Sequence, residues 1–404
     1  LMAEDTERLL GAINAMGCCA SRLFGSDWRI DGRGLKLGET LARINLGDGG
    51  APTRFALALA ALRTYDTIID GSARMRERPI QDGVRLLREL GVTIEALEDE
   101  GRLPLRVRGG AFEARSDDER PEIAIGATAS SQFISGLMLV APAMAAGLRL
   151  RFVEAPTSAS YLALSIDALR AFGAKVTLNG AAPRVARMPE GAAGRATGGA
   201  DSHLVELAPL PTRGSVIDIS PGLDPPSSWD VPVDASSAVV WVAAAAMAPG
   251  SRVTLPGLCR DAQPDLGAID AIASMGASLE WSDEGLTVSH GPLHGVDLDA
   301  GPWPDGALAV AAAAAVASGP TRLRSLGTLR VKESDRLASI AQEFGRLGIP
   351  VMVEGDDLVI EPDLSRPTPE MPTVETHNDH RIAMVTTLLG LARRGVEVLD
   401  PGCV

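Results

Sequence analysis

The sequence contains few aromatic residues: Phe, Trp and Tyr make up 3% of its 404 positions. Its cores must therefore be built mainly from Ala, Leu, Val and Ile. Cysteine is also scarce, and the four that occur are Cys18, Cys19, Cys259 and Cys403. None forms a C-x-x-C pair or has a histidine at the spacing of a zinc site, so we expect no bound metal. We predict reduced thiols that pack as small hydrophobic side chains.

Positive charge is in deficit, since 38 Lys and Arg residues stand against 52 Asp and Glu residues and the formal net charge is −14. A nucleic-acid partner is therefore not expected, because binding to a phosphate backbone requires a basic surface. A small anionic substrate is compatible with this composition if local cations overcome the overall field.

Long apolar runs are missing as well. The longest uncharged run, residues 132–148, is interrupted by Pro142 and Gly147. It is shorter than the ~20 apolar residues that cross a membrane. We interpret it as a buried helix followed by a turn, and we predict a cytoplasmic protein without a membrane partner.

Internal repetition is the main feature that the sequence does have. Five stretches share a small polar cluster, an Ala-rich apolar helix, a Gly or Pro break and a β-like run. They begin at Gly47, Thr128, Asp234, Pro304 and Asn378. A helix that is apolar nearly all round is typical of a buried helix.

A second pattern alternates with the first: an amphipathic helix stops at a glycine and leads into an extended segment. The glycines are Gly17, Gly91, Gly173, Gly276 and Gly348. Each unit thus predicts a buried helix, a strand, an amphipathic helix and a strand pair. The chain begins on an amphipathic helix and ends after a buried one, so we expect six units of which the first and last are incomplete.

Six units predict an α/β protein with two domains of three units each. We place the boundary within residues 228–232, which gives domains 1–230 and 231–404. The low-complexity stretch at residues 191–200 is predicted to be a flexible surface loop.

The starts of the buried helices have two interpretations. Ser and Asp at such positions are ordinary N-caps. If the repeats place the helix starts on one surface, their N–H groups and positive dipoles would instead form an anion site. Ser130, Ser131 and Gln132 would suit a polyhydroxylated ligand. Arg381 would add a guanidinium fork beside His380. The alternative for Arg381 is a surface ion pair, and the alternative for His380 is a neutral imidazole in the core or at the surface.

Two charged stretches are similarly ambiguous. Pro79 disfavours a helical Arg78, so RMRERP at residues 74–79 predicts an ordered loop, either solvated or clamping an oxyanion. The stretch RVKESDRLAS that follows Leu329 predicts either the charged first turn of a helix or an acid–base pair. If it is helical, Lys332 and Arg336 project together, with Asp335 as a cap or ion-pair partner.

The motifs RMRERP, SSQF, VDASSA, PDGALAVA, RVKESDRL and THNDHRIAM occur in this order. Together they resemble the 5-enolpyruvylshikimate-3-phosphate (EPSP) synthase family over residues 5–403. The resemblance implies two domains, each an inverse α/β barrel of three βαβαββ units. It also implies transfer of the enolpyruvyl group of phosphoenolpyruvate to the 5-hydroxyl of shikimate 3-phosphate, with release of phosphate, in chorismate and aromatic amino-acid biosynthesis. It implies no metal or organic cofactor, and we expect a monomer.

The resemblance assigns roles to individual residues. Asp305 would accept the proton of the 5-hydroxyl, while Lys332 and Glu333 would lie at the reacting carbons, with Glu333 the proton donor to the methylene carbon. The positions that match contacts of shikimate 3-phosphate are Ser130, Ser131, Gln132, Ser158, Tyr161, Asp305, Thr328 and Lys332. The positions that match contacts of phosphoenolpyruvate are Asp48, Gly50, Arg74, Gln132, Arg336, His380 and Arg381.

Three departures from the family pattern bear on activity. The phosphate loop at residues 47–51 reads GDGGA where the family has G-N-x-G-T, so Asp48 replaces an amide and Ala51 a hydroxyl. Thr328 replaces a substrate-facing Asn. The family's N-terminal K-S-x-x-x-R motif and its C-terminal lysine are absent, so we expect the ends to be missing and the 404 residues alone to be inactive or very weak.

Two alternatives stay open. A UDP-N-acetylglucosamine enolpyruvyl transferase would use a loop cysteine to protonate phosphoenolpyruvate, and residues 74–79 contain no cysteine. An inactive binding homologue would account for Asp48, Ala51 and the missing ends.

Overall fold

The computed structural model describes residues 3–25, 27–31, 38, 40–109, 120–180, 184–187, 204–363, 371–392 and 395–404. The predicted surface loop at residues 191–200 lies outside these residues. The described chain is a mixed α/β fold. Its four cysteines are half-buried and form no disulfide.

Eleven α-helices occur in the described residues. They are α1 Glu4–Ala15, α2 Gly50–Ala60, α3 Ala73–Glu77, α4 Gln81–Glu89, α5 Gln132–Val140, α6 Ala159–Ala171, α7 Ala235–Met247, α8 Leu266–Ser274, α9 Ala307–Ala314, α10 Arg336–Arg346 and α11 His380–Ala392. Short 3₁₀ segments cover Ala141–Ala143, Gly327–Val331 and Pro401–Cys403.

The strands of the described residues are short. They are β1 Cys19–Arg22, β2 Trp28–Asp31, β3 Ala42–Asn45, β4 Thr67–Asp70, β5 Ile94–Ala96, β6 Leu105–Val107, β7 Glu122–Ile125, β8 Leu148–Phe152, β9 Val176–Asn179, β10 Arg184–Arg187, β11 Leu204–Leu207, β12 Val216–Ile219, β13 Arg252–Pro256, β14 Ser278–Ser282, β15 Gly285–Ser289, β16 Asp297–Asp299, β17 Thr321–Arg324, β18 Val351–Glu354, β19 Asp357–Ile360, β20 Thr373–Glu375 and β21 Glu397–Leu399.

The five apolar helices predicted from the sequence are α2, α5, α7, α9 and α11, and most of their residues are buried. All eight residues of α9 are buried, because Ala, Leu and Val occupy every face of it. Alanine loses no side-chain entropy on folding and is small enough for close helix contacts. Accordingly α9 packs against α7, α8 and α11, and α2 packs against α5.

The five predicted amphipathic helices are α1, α4, α6, α8 and α10, and the predicted glycine follows the C-cap of each. These glycines have φ between 73° and 122°, the left-handed region that favours glycine. At Gly276 a β-carbon would also lie 2.5 Å from the carbonyl oxygen of Pro292. The glycine signals in the sequence therefore mark real helix ends.

Three four-stranded sheets share one order: β3-β4-β6-β5, β7-β8-β12-β9 and β16-β17-β19-β18. In each sheet the first two strands are parallel and flank a buried helix, and the other pairs are antiparallel. β20 and β21 form a further parallel pair around α11, and β13-β15-β14 is antiparallel. Hence α2, α5, α9 and α11 each begin after the carboxyl end of a strand, where α/β sheets commonly bind ligands.

The chain divides into two compact units, which we call unit 1 and unit 2. Unit 1 comprises Leu1–Pro183 and Ala208–Trp229, and unit 2 comprises Arg184–Leu207 and Asp230–Val404. Each unit has an apolar core of its own, in which its buried helices pack against its sheets.

One local prediction is wrong and another is confirmed. The segment RMRERP is not a loop throughout, because Ser72 Oγ accepts the Met75 N–H at 3.1 Å and caps the short helix α3. Arg78 is extended before the proline, as predicted.

The uncharged run at residues 132–148 forms α5, a 3₁₀ turn and the start of β8. None of the helices in the described part of the chain is long and apolar enough to cross a membrane.

Candidate active site

The stretch RVKESDRL passes from a 3₁₀ segment into α10. Asp335 Oδ1 accepts the Ala338 N–H at 3.1 Å and caps the helix, which confirms the predicted cap. Lys332 is extended, and α10 begins only at Arg336. The helical spacing considered for Lys332 and Arg336 is therefore wrong, because an N-cap has non-helical backbone angles. Lys332 and Arg336 nevertheless both contact the carboxylate of Asp305, Lys332 from the extended segment and Arg336 from the first turn of α10.

Arg336 lies at the centre of a buried cluster of charged side chains in unit 2, and 1% of its own surface is exposed. Its Nε and Nη2 donate to Asp379 Oδ2 and Oδ1 at 2.7 and 3.1 Å. Its Nη1 lies 2.7 Å from Asp305 Oδ1, and its Nη2 lies 2.7 Å from Glu333 Oε2. Burial alone would lower the pKa of Arg336, but the three carboxylates raise it. The guanidinium therefore stays charged and orients all three.

Asp305 meets two further cations. Lys332 Nζ lies 3.2 Å from its Oδ2, and Arg381 Nη1 donates to its carbonyl oxygen at 3.3 Å. Burial raises the pKa of Asp305, but the surrounding cations outweigh burial and hold this pKa well below its usual range. Asp305 is thus ionised and weakly basic while the cations face it. An anionic ligand that attracts them would raise its proton affinity.

Asp379 and His380 stand at the start of α11. Asp379 is fully buried and accepts a hydrogen bond from Ser334 Oγ at 3.0 Å. Burial raises the pKa of Asp379, but the charge of Arg336 lowers it below its usual value. Burial, followed by the charges of Arg381 and Arg336, lowers the pKa of His380. Its imidazole is therefore neutral at pH 7.

The loop before α11 has an uncommon conformation. His377 and Asn378 both have φ of 53°, which is costly for residues other than glycine. The buried Glu343 holds this loop, since its carboxylate lies 2.8 Å from His377 Nε2 and accepts the Glu375 N–H at 3.0 Å. The strained turn thus fixes the segment that carries the charged start of α11.

In unit 1, two arginines surround Gly50 at the start of α2. Arg54 and Arg78 are each 5% exposed. A β-carbon at Gly50 would lie 2.8 Å from Arg78 Nη1 and 3.0 Å from Arg54 Nη1, so a side chain there would displace both. Arg54 Nη1 donates to Gln132 Oε1 at 2.6 Å, and Arg78 Nη1 donates to the Asp48 carbonyl oxygen at 3.2 Å. Two guanidiniums and the positive end of a helix dipole favour an anion here.

Arg74 occupies a different position from Arg78. Its Nη1 pairs with Glu77 Oε2 at 2.8 Å, and its side chain is 42% exposed. Asp48 contacts Arg78 through its main chain, and its carboxylate accepts a short hydrogen bond from Ser72 Oγ. Arg78 therefore reaches the main chain of the phosphate loop.

The residues matched to shikimate 3-phosphate in unit 1 lie on two loops that a hydrogen bond joins. Thr157 Oγ1 donates to the Thr128 carbonyl oxygen at 2.7 Å. Ser158 has φ of 51°, and its carbonyl oxygen accepts the Tyr161 N–H at 3.1 Å. The other loop carries Ser130, Ser131 and Gln132. The structure thus places these five predicted residues in two neighbouring loops and in the first turns of the helices α5 and α6 that follow them.

Thr328 lies in the 3₁₀ segment Gly327–Val331 of unit 2. Its hydroxyl is buried and has no hydrogen-bond partner among the described residues, which is uncommon for a polar atom. Within the same described ranges, no three His, Cys, Asp or Glu side chains are arranged to hold a metal ion.

Comparison with known proteins assigns the chain to a family. A family model described as EPSP synthase (3-phosphoshikimate 1-carboxyvinyltransferase) matches residues 1–197 and 209–404. The chain belongs to the EPSP synthase family. Two similar relatives are named 3-phosphoshikimate 1-carboxyvinyltransferase. The one from Edwardsiella ictaluri (strain 93-146) is 34% identical over 409 residues, and the one from Yersinia pestis bv. Antiqua (strain Angola) is 31% identical over 416. Both alignments cover 100% of this chain and 85% of the relative.

Solved structures show the same fold. An EPSP synthase from Acinetobacter baumannii matches with a TM-score of 0.69 at 22% identity, over 100% of this chain and 84% of the other. The enolpyruvyl transferase NikO from Streptomyces tendae matches with a TM-score of 0.64 at 16% identity, over 98% and 82%. The predicted α/β class is therefore confirmed for this EPSP synthase family member.

Several candidate residues were missed from the sequence. Arg54 lies inside an apolar helix, and its neighbours Thr53 and Phe55 gave no sign of a partner 78 residues away. Arg78 was passed over in favour of Arg74 in the same motif. Asp379 lies inside the quoted THNDHRIAM motif, and its buried charge could have been suspected from the adjacent basic residues.

Proposed function

We propose that this protein transfers the enolpyruvyl group of phosphoenolpyruvate to the 5-hydroxyl of shikimate 3-phosphate and releases phosphate. The observation that carries the proposal is the cluster in unit 2 where Lys332, Arg336 and Arg381 surround Asp305. In this cluster the three cations lie within hydrogen-bond distance of Asp305, and Arg336 links Asp305 to Glu333. Its residues come from motifs that resemble those of the EPSP synthase family, whose model matches nearly the whole chain.

The proton transfers of the proposed reaction balance. The 5-hydroxyl oxygen bonds to C2 of phosphoenolpyruvate while Asp305 takes the hydroxyl proton and Glu333 gives a proton to the methylene carbon. The tetrahedral intermediate then loses phosphate, which carries away the proton held by Asp305, and Glu333 recovers a proton from the methyl group. Each positioned transfer contributes about 10²–10⁴-fold. Lys332 stabilises the negative charge that develops between these steps.

Anion binding in unit 1 is proposed for the surface around Gly50. Arg54 and Arg78 are buried, charged and close to each other across that glycine, and bidentate guanidiniums match carboxylate and phosphate geometry. We therefore assign phosphoenolpyruvate binding to Arg78 in place of Arg74. The other proposed contacts of phosphoenolpyruvate are Asp48, Gly50, Gln132, Arg336, His380 and Arg381. The proposed contacts of shikimate 3-phosphate are Ser130, Ser131, Gln132, Ser158, Tyr161, Asp305, Thr328 and Lys332.

The finer architecture also belongs to the proposal. The shared order of the three four-stranded sheets supports βαβαββ units, three to a domain, arranged as inverse α/β barrels with domains 1–230 and 231–404. The acidic composition supports small anionic substrates without a nucleic-acid partner. We further propose a cytoplasmic monomer that needs no cofactor.

The test is an assay of phosphate release. Full-length protein is incubated with phosphoenolpyruvate and shikimate 3-phosphate, and separately with UDP-N-acetylglucosamine as acceptor. We expect phosphate release when the acceptor is shikimate 3-phosphate and none when it is UDP-N-acetylglucosamine. The Lys332→Met variant should lose about 10²–10³-fold in turnover, as for the loss of one donor that stabilises developing charge. Its thermal midpoint should stay near that of the parent, because Arg336 still neutralises Asp305.

Each other outcome has a definite meaning. Turnover with UDP-N-acetylglucosamine would favour the other enolpyruvyl transferase. No turnover with either acceptor, from folded protein, would favour an inactive binding homologue. Activity retained by Lys332→Met together with a large fall in thermal midpoint would assign this lysine a purely structural role.

A further inference from the structure

A buried carboxylate that the proposed mechanism does not use lies directly behind Asp305. Asp265 is 2% exposed and stands at the N-cap position of α8. Its side chain makes no capping hydrogen bond to its own helix. Instead, its Oδ1 accepts the Gly306 N–H at 3.1 Å, and its Oδ2 accepts a short hydrogen bond from Ser236 Oγ. The carboxylate therefore joins the starts of α7, α8 and α9.

The main chain around Asp305 is held on both sides. Asp265 accepts a hydrogen bond from the N–H of Gly306, the residue after Asp305. Arg381 donates to the carbonyl oxygen of Asp305 itself. A β-carbon at Gly306 would lie 2.6 Å from Ala268 Cβ and 3.1 Å from Asp265 Oδ1. The close approach of this loop to α8 therefore requires glycine, and the position of Asp305 depends on it.

The charges around the two carboxylates are unequal. Asp265 faces the N–H of Gly306, the hydroxyl of Ser236, the cation of Arg381 and the carboxylate of Asp305. Burial and the charge of Asp305 raise the pKa of Asp265, and they outweigh the charge of Arg381 and the two donated hydrogen bonds, which favour the ionised form. Asp305 faces three cations besides this carboxylate. An ionised Asp265 opposes those cations and raises the proton affinity of Asp305.

We propose that Asp265 is a positioning residue for Asp305: it fixes the loop that carries Asp305 and supplies a second negative charge that keeps Asp305 basic enough to accept a proton. This inference rests on the proposed function, in which Asp305 takes the proton of the acceptor hydroxyl. Asp265 does not touch the reacting atoms and acts through Asp305.

The test is the pH profile of kcat in the full-length Asp265→Asn variant, because kcat reports the substrate complex, in which bound anions attract the cations that face Asp305. The amide keeps an oxygen for the Gly306 N–H but removes the negative charge. Because the remaining cations then lower the pKa of Asp305 further, the acidic limb of the profile should move to lower pH. The kcat should fall by roughly 10- to 100-fold, which is part of the 10²–10⁴-fold that a general base supplies.

Asp261→Asn is the matched control. Burial raises the pKa of Asp261 as well, but its carboxylate binds Gln263 in the same loop. This variant should keep the parental acidic limb. An unmoved limb in Asp265→Asn, or the same shift in both variants, would overturn the role of Asp265. Absence of turnover in the parent would instead defeat the proposed function.

A second measurement covers the case in which Asp265→Asn does not fold. Carboxyl carbon NMR of substrate-free protein follows the titration of Asp265 in the parent and in Asp305→Asn. Interacting carboxylates shift each other reciprocally, so the midpoint of Asp265 should fall when Asp305 loses its charge. A midpoint that does not move would show that the two groups are not coupled and would overturn the inference.

Discussion

The two units hold their buried arginines in opposite ways. In unit 2, Arg336 is bound by three carboxylates within hydrogen-bond distance. In unit 1, Arg54 and Arg78 donate to an amide oxygen and to a main-chain carbonyl oxygen. A neutral acceptor orients a guanidinium without cancelling its charge, whereas a carboxylate does both.

This difference indicates that the cations of the two units serve different purposes. In unit 1 the two guanidiniums lie beside the start of α2, where an anion is favoured. In unit 2 the cations control the proton affinity of the carboxylates that they touch. A chain with a net charge of −14 can therefore bind anions through local arrangement alone. The two kinds of arginine should respond differently to mutation.

The largest effect is expected for Arg336→Met. Removal of this side chain leaves Asp305, Glu333 and Asp379 without their shared cation, and breaking a buried ion pair costs about 3–5 kcal/mol. Urea denaturation should show this loss in the free energy of unfolding. Arg322→Met is the control, because Arg322 also pairs with two carboxylates but at the surface, where ion pairs contribute little. Equal losses would mean that burial does not govern the cost.

A smaller effect is expected in unit 1. Arg78→Met should raise the KM for phosphoenolpyruvate roughly 10- to 100-fold, as a charged hydrogen bond of about 1.5–3 kcal/mol is lost. Arg74→Met should leave this KM near the parental value, since Arg74 pairs with Glu77 on an exposed face. Steady-state kinetics of both variants decides between them. The reverse order would restore the role that the sequence alone gave to Arg74.

The smallest effect concerns His380 and pH. Its pKa is lowered in the folded protein, so the unfolded chain binds more protons as the pH falls below the ordinary value of about 6.5. The free energy of unfolding should therefore decline on acidification in that window, by at most about 1.4 kcal/mol per pH unit for one proton. Denaturation of His380→Gln between pH 8 and pH 5 should show a flatter dependence.

The carboxylates act in a separate window. The pKa values of Asp305 and Asp379 are lowered, so their stabilisation is present above the unfolded value of about 3.9 and is lost as the pH falls below it. A slope in His380→Gln equal to that of the parent from pH 8 to pH 5 would contradict the assignment to His380.

Sequence reasoning succeeded where the signals were local. The buried helices, their glycine stops and the cap at Asp335 follow from periodicity and from residue chemistry within one turn of chain. The short helix α3 was missed because its cap, Ser72, precedes the basic motif that drew attention.

The remaining features depend on contacts between distant segments. Arg54 reaches Gln132, and Asp265 reaches Gly306, across separations that no local pattern encodes. Arg74 was chosen over Arg78 for the same reason, since burial distinguishes two arginines in one motif and composition does not. Convergence of helix starts was anticipated as an idea, but the carboxylates that hold them together in unit 2 were not.

The all-buried helix α9 has a consequence for protein engineering. Six of its eight positions are alanine, whose side chain has no rotamers to rearrange. A larger residue there has no free volume to enter and must displace backbone, and Asp305 stands two residues before the helix. Libraries that aim to change acceptor preference should therefore leave this helix intact. They should vary the loops of residues 128–131 and 155–158, where a change in the backbone does not displace a tightly packed helix.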